Sequence, residues 1–223
     1  MIRSIVASSR SRVPATSAGY AGLLVAVAAA SMMLIGSPTV AQTIINEWST
    51  VKAPPPPQLK PVTADSKTAL LLLDFAKKNC GARPRCLATV PNVQKMANVA
   101  RAKKIVIVYS LPPGSAKSDL LIAPLDSEPI VAAGADKFYR TDLEKILKDK
   151  GITTVIVTGT AAHGAVLNTA AAAAIMGFKV IVPVDAMSAE DPYPEQYTAW
   201  HLANAPGGIG TNVTLTKIDM IRF

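Results

Sequence analysis

The sequence predicts a three-layer α/β fold, in which a doubly wound, mostly parallel sheet carries helices on both faces. Three observations carry that expectation. Short apolar runs rich in Val, Ile and Leu recur along the chain with helical patterns between them. The runs are continuous rather than alternating with polar residues, as in strands buried on both faces. Residues 153–170, TTVIVTGTAAHGAVLNTA, also pass from a β-branched run through a small-residue turn into an Ala-rich helix.

In chain order, residues 68–73 read as a buried strand ending in Asp74, and residues 91–102 as a helix with Pro91 in its first turn. Residues 105–109 form the next strand. The segment 111–134, with Pro112, Pro113, Pro124 and Pro129, reads as irregular and is long enough to be a functional loop. Thr141 then caps a helix running to Lys150, with Glu144 as capping-box partner and Gly151 as stop signal. A strand at 153–157, a helix at 163–176, a strand at 179–184, a helix at 192–204 and a last strand at 213–217 follow. No internal repeat of 20 to 50 residues interrupts this order.

The start of the chain reads differently. Arg3, Arg10 and Arg12 precede an uncharged stretch from 19 to 36, and Thr39-Val40-Ala41 places small residues where a signal peptidase reads them. Residues 1–41 are therefore expected to be a secretory signal cleaved before Gln42, which places the mature protein in the periplasm or outside the cell. The alternative is a retained anchor, since 18 uncharged residues are just long enough to span a bilayer, although Ala and Gly make a weak one. Residues 42–66 hold Pro54, Pro55, Pro56, Pro57 and Pro61 and are expected to be an extended tether or an arm across a neighbouring subunit. Residues 67–223 form the domain, expected to assemble as a homo-oligomer.

A chain that is 50% hydrophobic and 17% charged suits one compact domain plus these attachments. Without the signal and its three arginines the net charge falls from +8 to +5. The lysines are scattered and few aromatics stand among them, so no nucleic-acid face is expected. Cys80 and Cys86 lie in NCGARPRC, a close pair that reads as a disulfide in an exported chain. Neither a metal site nor a cofactor is expected, because no His or further Cys stands near that pair.

Open α/β sheets bind ligands beyond the carboxyl ends of their strands, so the turn after residues 153–157 marks a crevice. A helix starting near His163 would aim free N–H groups into it. This turn resembles the nucleophile turn of the isochorismatase-like (cysteine hydrolase) family, G-x-x-T-x-x-C-V-x-x-T-A, with Gly159 as the Gly and Thr169-Ala170 as the closing pair. Ala165 stands where the hydrolases of that family carry their nucleophilic Cys. Phe138, Thr141 and Leu143 match a second family segment, F-x-x-T-x-L. The resemblance spans about 68–217 and implies the isochorismatase-like hydrolase fold and a small-molecule substrate.

The resemblance also implies site residues. Asp74 would be the general acid or base; read from the residues alone, it could equally accept backbone N–H groups of the following loop. The family Lys lies six positions before the Phe, a count that lands on Ala132, so Lys137 would take its place only if the loop is re-routed. Some members, the isochorismatases, have a small residue at the Cys position, use the Asp as acid and tend to show Ala-His after the turn, as Ala162-His163 do here. Asp74, His163 and Lys137 are therefore the candidate catalytic residues, and Gly159, Ala162, Gly164 and Ala165 the candidate substrate-binding ones. His201 reads as structural, and Asp185 as tying down residues 186–191. A thiol borrowed from Cys80 or Cys86 is a further reading, closed off if the two are bridged. The alternative to an enzyme is a non-catalytic member that keeps the crevice for binding or the fold for assembly.

Overall fold

A computed structural model of the chain describes residues 43–223. The expected signal, residues 1–41, lies outside the described residues. The chain divides into two units, Met1–Val51 and Lys52–Phe223. In the first, a single turn of helix, α1 (Ile44–Glu47), follows Thr43, whose hydroxyl and backbone N–H both donate to Asn46 Oδ1. Among the described residues, no helix is long and apolar enough to cross a membrane.

The second unit contains β1 (Val62–Thr63), β2 (Thr68–Leu73), α2 (Lys77–Cys80), α3 (Pro84–Ala102), β3 (Val106–Leu111), β4 (Ile130–Ala132), α4 (Leu143–Asp149) and β5 (Thr154–Thr160). These are followed by a π-helical turn at Ala162–Val166, then α5 (Leu167–Ile175), β6 (Lys179–Pro183), β7 (Met187–Ser188), α6 (Pro192–Asn204), α7 (Ile209–Asn212), β8 (Val213–Thr216) and β9 (Ile221–Arg222). The main sheet runs β4-β3-β2-β5-β6-β8 with β7 added beside β5, and all its pairings are parallel. The first strand of that order in sequence, β2, lies next to the fourth, β5. The winding therefore reverses between β2 and β5, the switch point at which such sheets open a crevice.

Side-chain alternation along β2 builds the three layers. Ala69, Leu71 and Leu73 enter one core with Leu143 and Leu147 of α4, Ala170, Ala173 and Ala174 of α5, and Leu202 of α6. Leu70 and Leu72 enter the other with Val93, Met96, Ala97 and Ala100 of α3. All six residues of β2 are buried, which is why the run TALLLL shows no polar alternation.

Several elements differ from expectation. The first long helix begins at Pro84, with Pro91 inside it rather than at its start. Pro91 cannot donate to the carbonyl four residues back, and Leu87 there is solvent-exposed, so water can take that place. Thr141 does not cap α4 through a capping box; Asp142 precedes the helix, Thr141 Oγ1 accepts from Leu143 N at 3.2 Å, and Glu144 pairs with Lys148. The segment 111–134 is not wholly irregular, since β4 forms within it. Residues 52–64 lie along their own domain. Lys60 N donates to Leu215 O at 2.9 Å, Leu59 packs on the core, and β1 pairs with β9. Lys60, just past the polyproline stretch, thus donates to the edge strand β8, where unpaired backbone groups would otherwise invite another chain.

Candidate active site

The site is built where β2 and β5 end side by side. Leu73 is in register with Gly159, and Gly159 on its other side with Met187 of β7. The backbone at Gly159 has φ of +143°, and a Cβ there would lie 2.3 Å from Leu73 O. A side chain would push β5 away from β2 at the level of the crevice, so the glycine is required by close approach. Beyond Thr160 the chain turns through a cis peptide to Ala161 and enters the π-helical turn. The N–H groups of Ala162 and His163 have no hydrogen-bond partner among the described residues. They are orphan donors at the head of the helix that continues as α5.

Asp74 caps β2 in a left-handed conformation, φ +55°, which Asp tolerates better than most residues. It is 5% exposed. Its Oδ2 accepts from Lys137 Nζ at 2.7 Å and its Oδ1 from the Ser110 hydroxyl at 2.7 Å. Ser110, at the end of β3, also accepts from Asp74 N at 3.2 Å through the same hydroxyl oxygen. Burial pushes the Asp74 carboxyl above its ordinary value, while the hydrogen bond and charge of Lys137 and the hydroxyl of Ser110 pull it partway back. The carboxylate is therefore not tied to the N–H groups of its following loop; side chains from two other segments hold it.

Lys137 is fully buried, at 0% exposed, and is not a surface residue. Besides Asp74 it donates to Ala133 O at 2.9 Å and Gly134 O at 2.6 Å, so all three ammonium N–H groups are used. The loop of residues 133–136 curls so that its own carbonyls receive the lysine. The cation thus enters from a position adjacent to Phe138 rather than six before it, and Ala132, at the end of β4, is exposed. Thr169 fixes this loop from α5: its hydroxyl oxygen accepts from Lys137 N at 3.2 Å and donates to Ala135 O at 3.4 Å.

The other candidates are placed differently. Ala165 is 4% exposed and, with Ala162, packs into the core shared by α4, α5 and α6, so their side chains serve packing and only their backbone borders the turn. Gly164 is half-buried, and a Cβ there would stand in ordinary contact with Ala161 Cβ at 3.8 Å. His163 is exposed on the turn and makes no side-chain hydrogen bond among the described residues, so it neither caps the helix nor hydrogen-bonds to Asp74. Asp185 ties down the C-terminal segment instead of residues 186–191, accepting from Ile218 N at 2.9 Å. His201 lies on α6 with its ring 5.7 Å from that of Tyr197. Cys80 and Cys86 are bridged and buried, linking α2 to the first turn of α3. No cluster of three or more His, Cys, Asp or Glu placed to hold a metal occurs among the described residues.

Sequence reasoning missed Ser110 and the part played by Thr169. Ser110 left a signal, a small hydroxyl just past an apolar run that lies beside the Asp74 strand. Its contact across 36 residues depends on strand order, which local pattern does not encode.

This architecture has counterparts among known proteins. The isochorismatase domain family matches residues 68–215. The N-carbamoylsarcosine amidase of Arthrobacter sp. is 29% identical over an alignment covering 59% of this chain and 62% of that relative, so the chain spans about three fifths of the relative's length. Among solved structures, an isochorismatase-like hydrolase from Alkaliphilus metalliredigens superposes with a TM-score of 0.61 at 24% identity, covering 68% of this chain and 95% of the other. The N-carbamoylsarcosine amidase from Thermoplasma acidophilum gives 0.60 at 23% identity over 68% and 96%. The two structures share the fold. With the family match running from the first residue of β2 into β8, the chain belongs to the isochorismatase family.

Proposed function

We propose that this protein is an exported hydrolase that acts on a small molecule through Asp74, without a thiol nucleophile. The observation that carries the reading is a buried carboxyl, raised in pKa and held at the switch point by Lys137 and Ser110, on a scaffold with a methyl group at position 165. A carboxyl with a raised pKa keeps a larger protonated fraction and can act as a general acid. Asp74 would deliver its proton to the substrate as the scissile bond polarises, water would add to the resulting electrophile, and the water's proton would return to the carboxylate. Lys137 has no N–H left for a ligand, so its part is to hold the carboxyl and stabilise its ionised form. The orphan N–H groups of Ala162 and His163 supply an anion site, and the exposed imidazole of His163 is free to orient a small acidic substrate.

The basic start, apolar stretch and small-residue cleavage signal of residues 1–41 support export, as does a closed disulfide, which suits an oxidising compartment. Tyr193, Tyr197 and Trp200 expose one face of α6 at helical spacing, which supports contact between copies in a homo-oligomer. Catalysis is tested by assaying purified protein against vinyl ethers, amides and esters of small acids beside the Asp74→Asn variant. Turnover that disappears in the variant is expected; no turnover on any of the three classes overturns the enzyme reading.

A second reading rests on how closed the site is: Asp74, Lys137 and Ala165 are each no more than 5% exposed. In that reading the ion pair is structural, and the fold serves binding or assembly. It requires Asp74→Asn to leave function in the cell intact while substitutions in the turn abolish it.

A further inference from the structure

Each oxygen of Asp74 has a different partner, and the two partners are not equivalent. Oδ2 is held by an ammonium whose other N–H groups are locked on the carbonyls of residues 133 and 134. Oδ1 is held by a neutral hydroxyl on β3, itself fully buried. Serine has one donor and two acceptor lone pairs, and here both functions go to one residue: the Oγ–H to Oδ1 and a lone pair to the Asp74 backbone N–H. This two-point clasp acts on a residue already in a left-handed backbone conformation, so it fixes the orientation of the carboxyl as well as its environment.

The groups facing Asp74 can be taken element by element. β3 contributes Ser110, the loop before α4 contributes Lys137, and the π-helical turn contributes no ionic or hydrogen-bonding side chain among the described residues. Lys137 cannot release Oδ2 without leaving a buried ammonium and a buried carboxylate apart, which is costly. The hydroxyl of Ser110 can release Oδ1 by rotating about one bond. Oδ1 is therefore the oxygen free to gain and lose a proton.

We propose that Ser110 is a positioning residue, whose hydroxyl clasp fixes the Asp74 carboxyl and assigns proton exchange to Oδ1. The assignment of that proton to catalysis rests on the function proposed above; the clasp itself does not. When Oδ1 is ionised, the Ser110 O–H donates to it. When a proton binds Oδ1, the hydroxyl rotates away and the carboxyl becomes the donor. Losing a hydrogen bond that favours the charged form makes the carboxyl easier to protonate.

The test is an infrared difference titration of the full-length protein, following the carboxyl C=O stretch assigned by its loss in Asp74→Asn. Ser110→Ala is expected to raise the Asp74 midpoint by about one pH unit, a tenfold rise in proton affinity. Ser110→Thr, which keeps the hydroxyl, is expected to restore it. Ser110→Cys, a weaker donor of similar shape, is expected to fall between and serves if Ser110→Ala does not fold. An unchanged midpoint in Ser110→Ala, or equal midpoints in Ser110→Thr and Ser110→Ala, overturns the proposal. A shifted midpoint in a protein that turns over no substrate leaves the clasp standing and removes the hydrolase reading; turnover with an unshifted midpoint does the reverse.

Discussion

Replacing Lys137 by Met removes the charge while keeping most of the apolar stem, and the structure sets the expected size of the loss. The ammonium is fully buried and makes three hydrogen bonds, so its removal strands Asp74 Oδ2 and the carbonyls of residues 133 and 134. Breaking a buried ion pair by deleting one partner costs about 3–5 kcal/mol. Asp74 limits that cost by taking up a proton, at about 1.4 kcal/mol for each pH unit between the solution and its own pKa. We expect Lys137→Met to lose about 3 kcal/mol at pH 7 and less at pH 5. The sign follows from Asp74 itself. Its folded pKa is raised above the unfolded 3.8, so its contribution to stability is fully present below that value and is lost as pH rises through the folded pKa. Removing the lysine raises the folded pKa further and carries the decline to higher pH. Asp74→Asn in the Lys137→Met background, which leaves no buried charge, should recover part of the loss at pH 7. Urea denaturation with the slope held constant reads all of these. A loss below about 1 kcal/mol at pH 7, or one identical at the two pH values, would refute the reasoning that the pair is buried and charged.

Gly159→Ala should be among the most damaging single-methyl changes in the chain, since the new Cβ would lie 2.3 Å from Leu73 O; we expect a loss of about 3 kcal/mol or more, read as a lower urea midpoint or as failure to fold. Replacing Cys80 and Cys86 together by Ser should cost about 2 kcal/mol by loop-closure entropy, read in denaturant, with turnover preserved because neither sulfur serves as nucleophile. Thr169→Val should loosen the loop that delivers Lys137, costing about 1 kcal/mol in stability and making the Lys137 amide exchange faster with solvent.

Much of the fold can be read from the sequence because it rests on local pattern. The run TALLLLD gives β2 at its observed bounds, Thr68–Leu73, and Asp191-Pro192 marks the start of α6. What local pattern did not show is what tertiary contact decides. Helix α3 starts seven residues early, with Pro91 inside a turn whose stranded carbonyl faces solvent. β4 has three residues and exists because β3 offers an open edge. The segment after the prolines is held to β8 by Lys60 and to the core by Leu59. At the site, the carboxylate was legible as a charge closing an apolar run. The lysine was obscured because the count by family spacing lands on Ala132, and the serine by its dependence on β3 lying next to β2.

We propose above that Asp74 serves as the proton donor of a thiol-free hydrolysis. The most direct measurement is the pH dependence of kcat for the purified protein, with and without a thiol-blocking reagent, beside Asp74→Asn. With Asp74 as the acid, the rate falls as pH rises through a pKa above 3.8, is unchanged by thiol blocking and is at least about a hundredfold lower in the variant. A rate that survives in Asp74→Asn, or one abolished by blocking thiols, contradicts it.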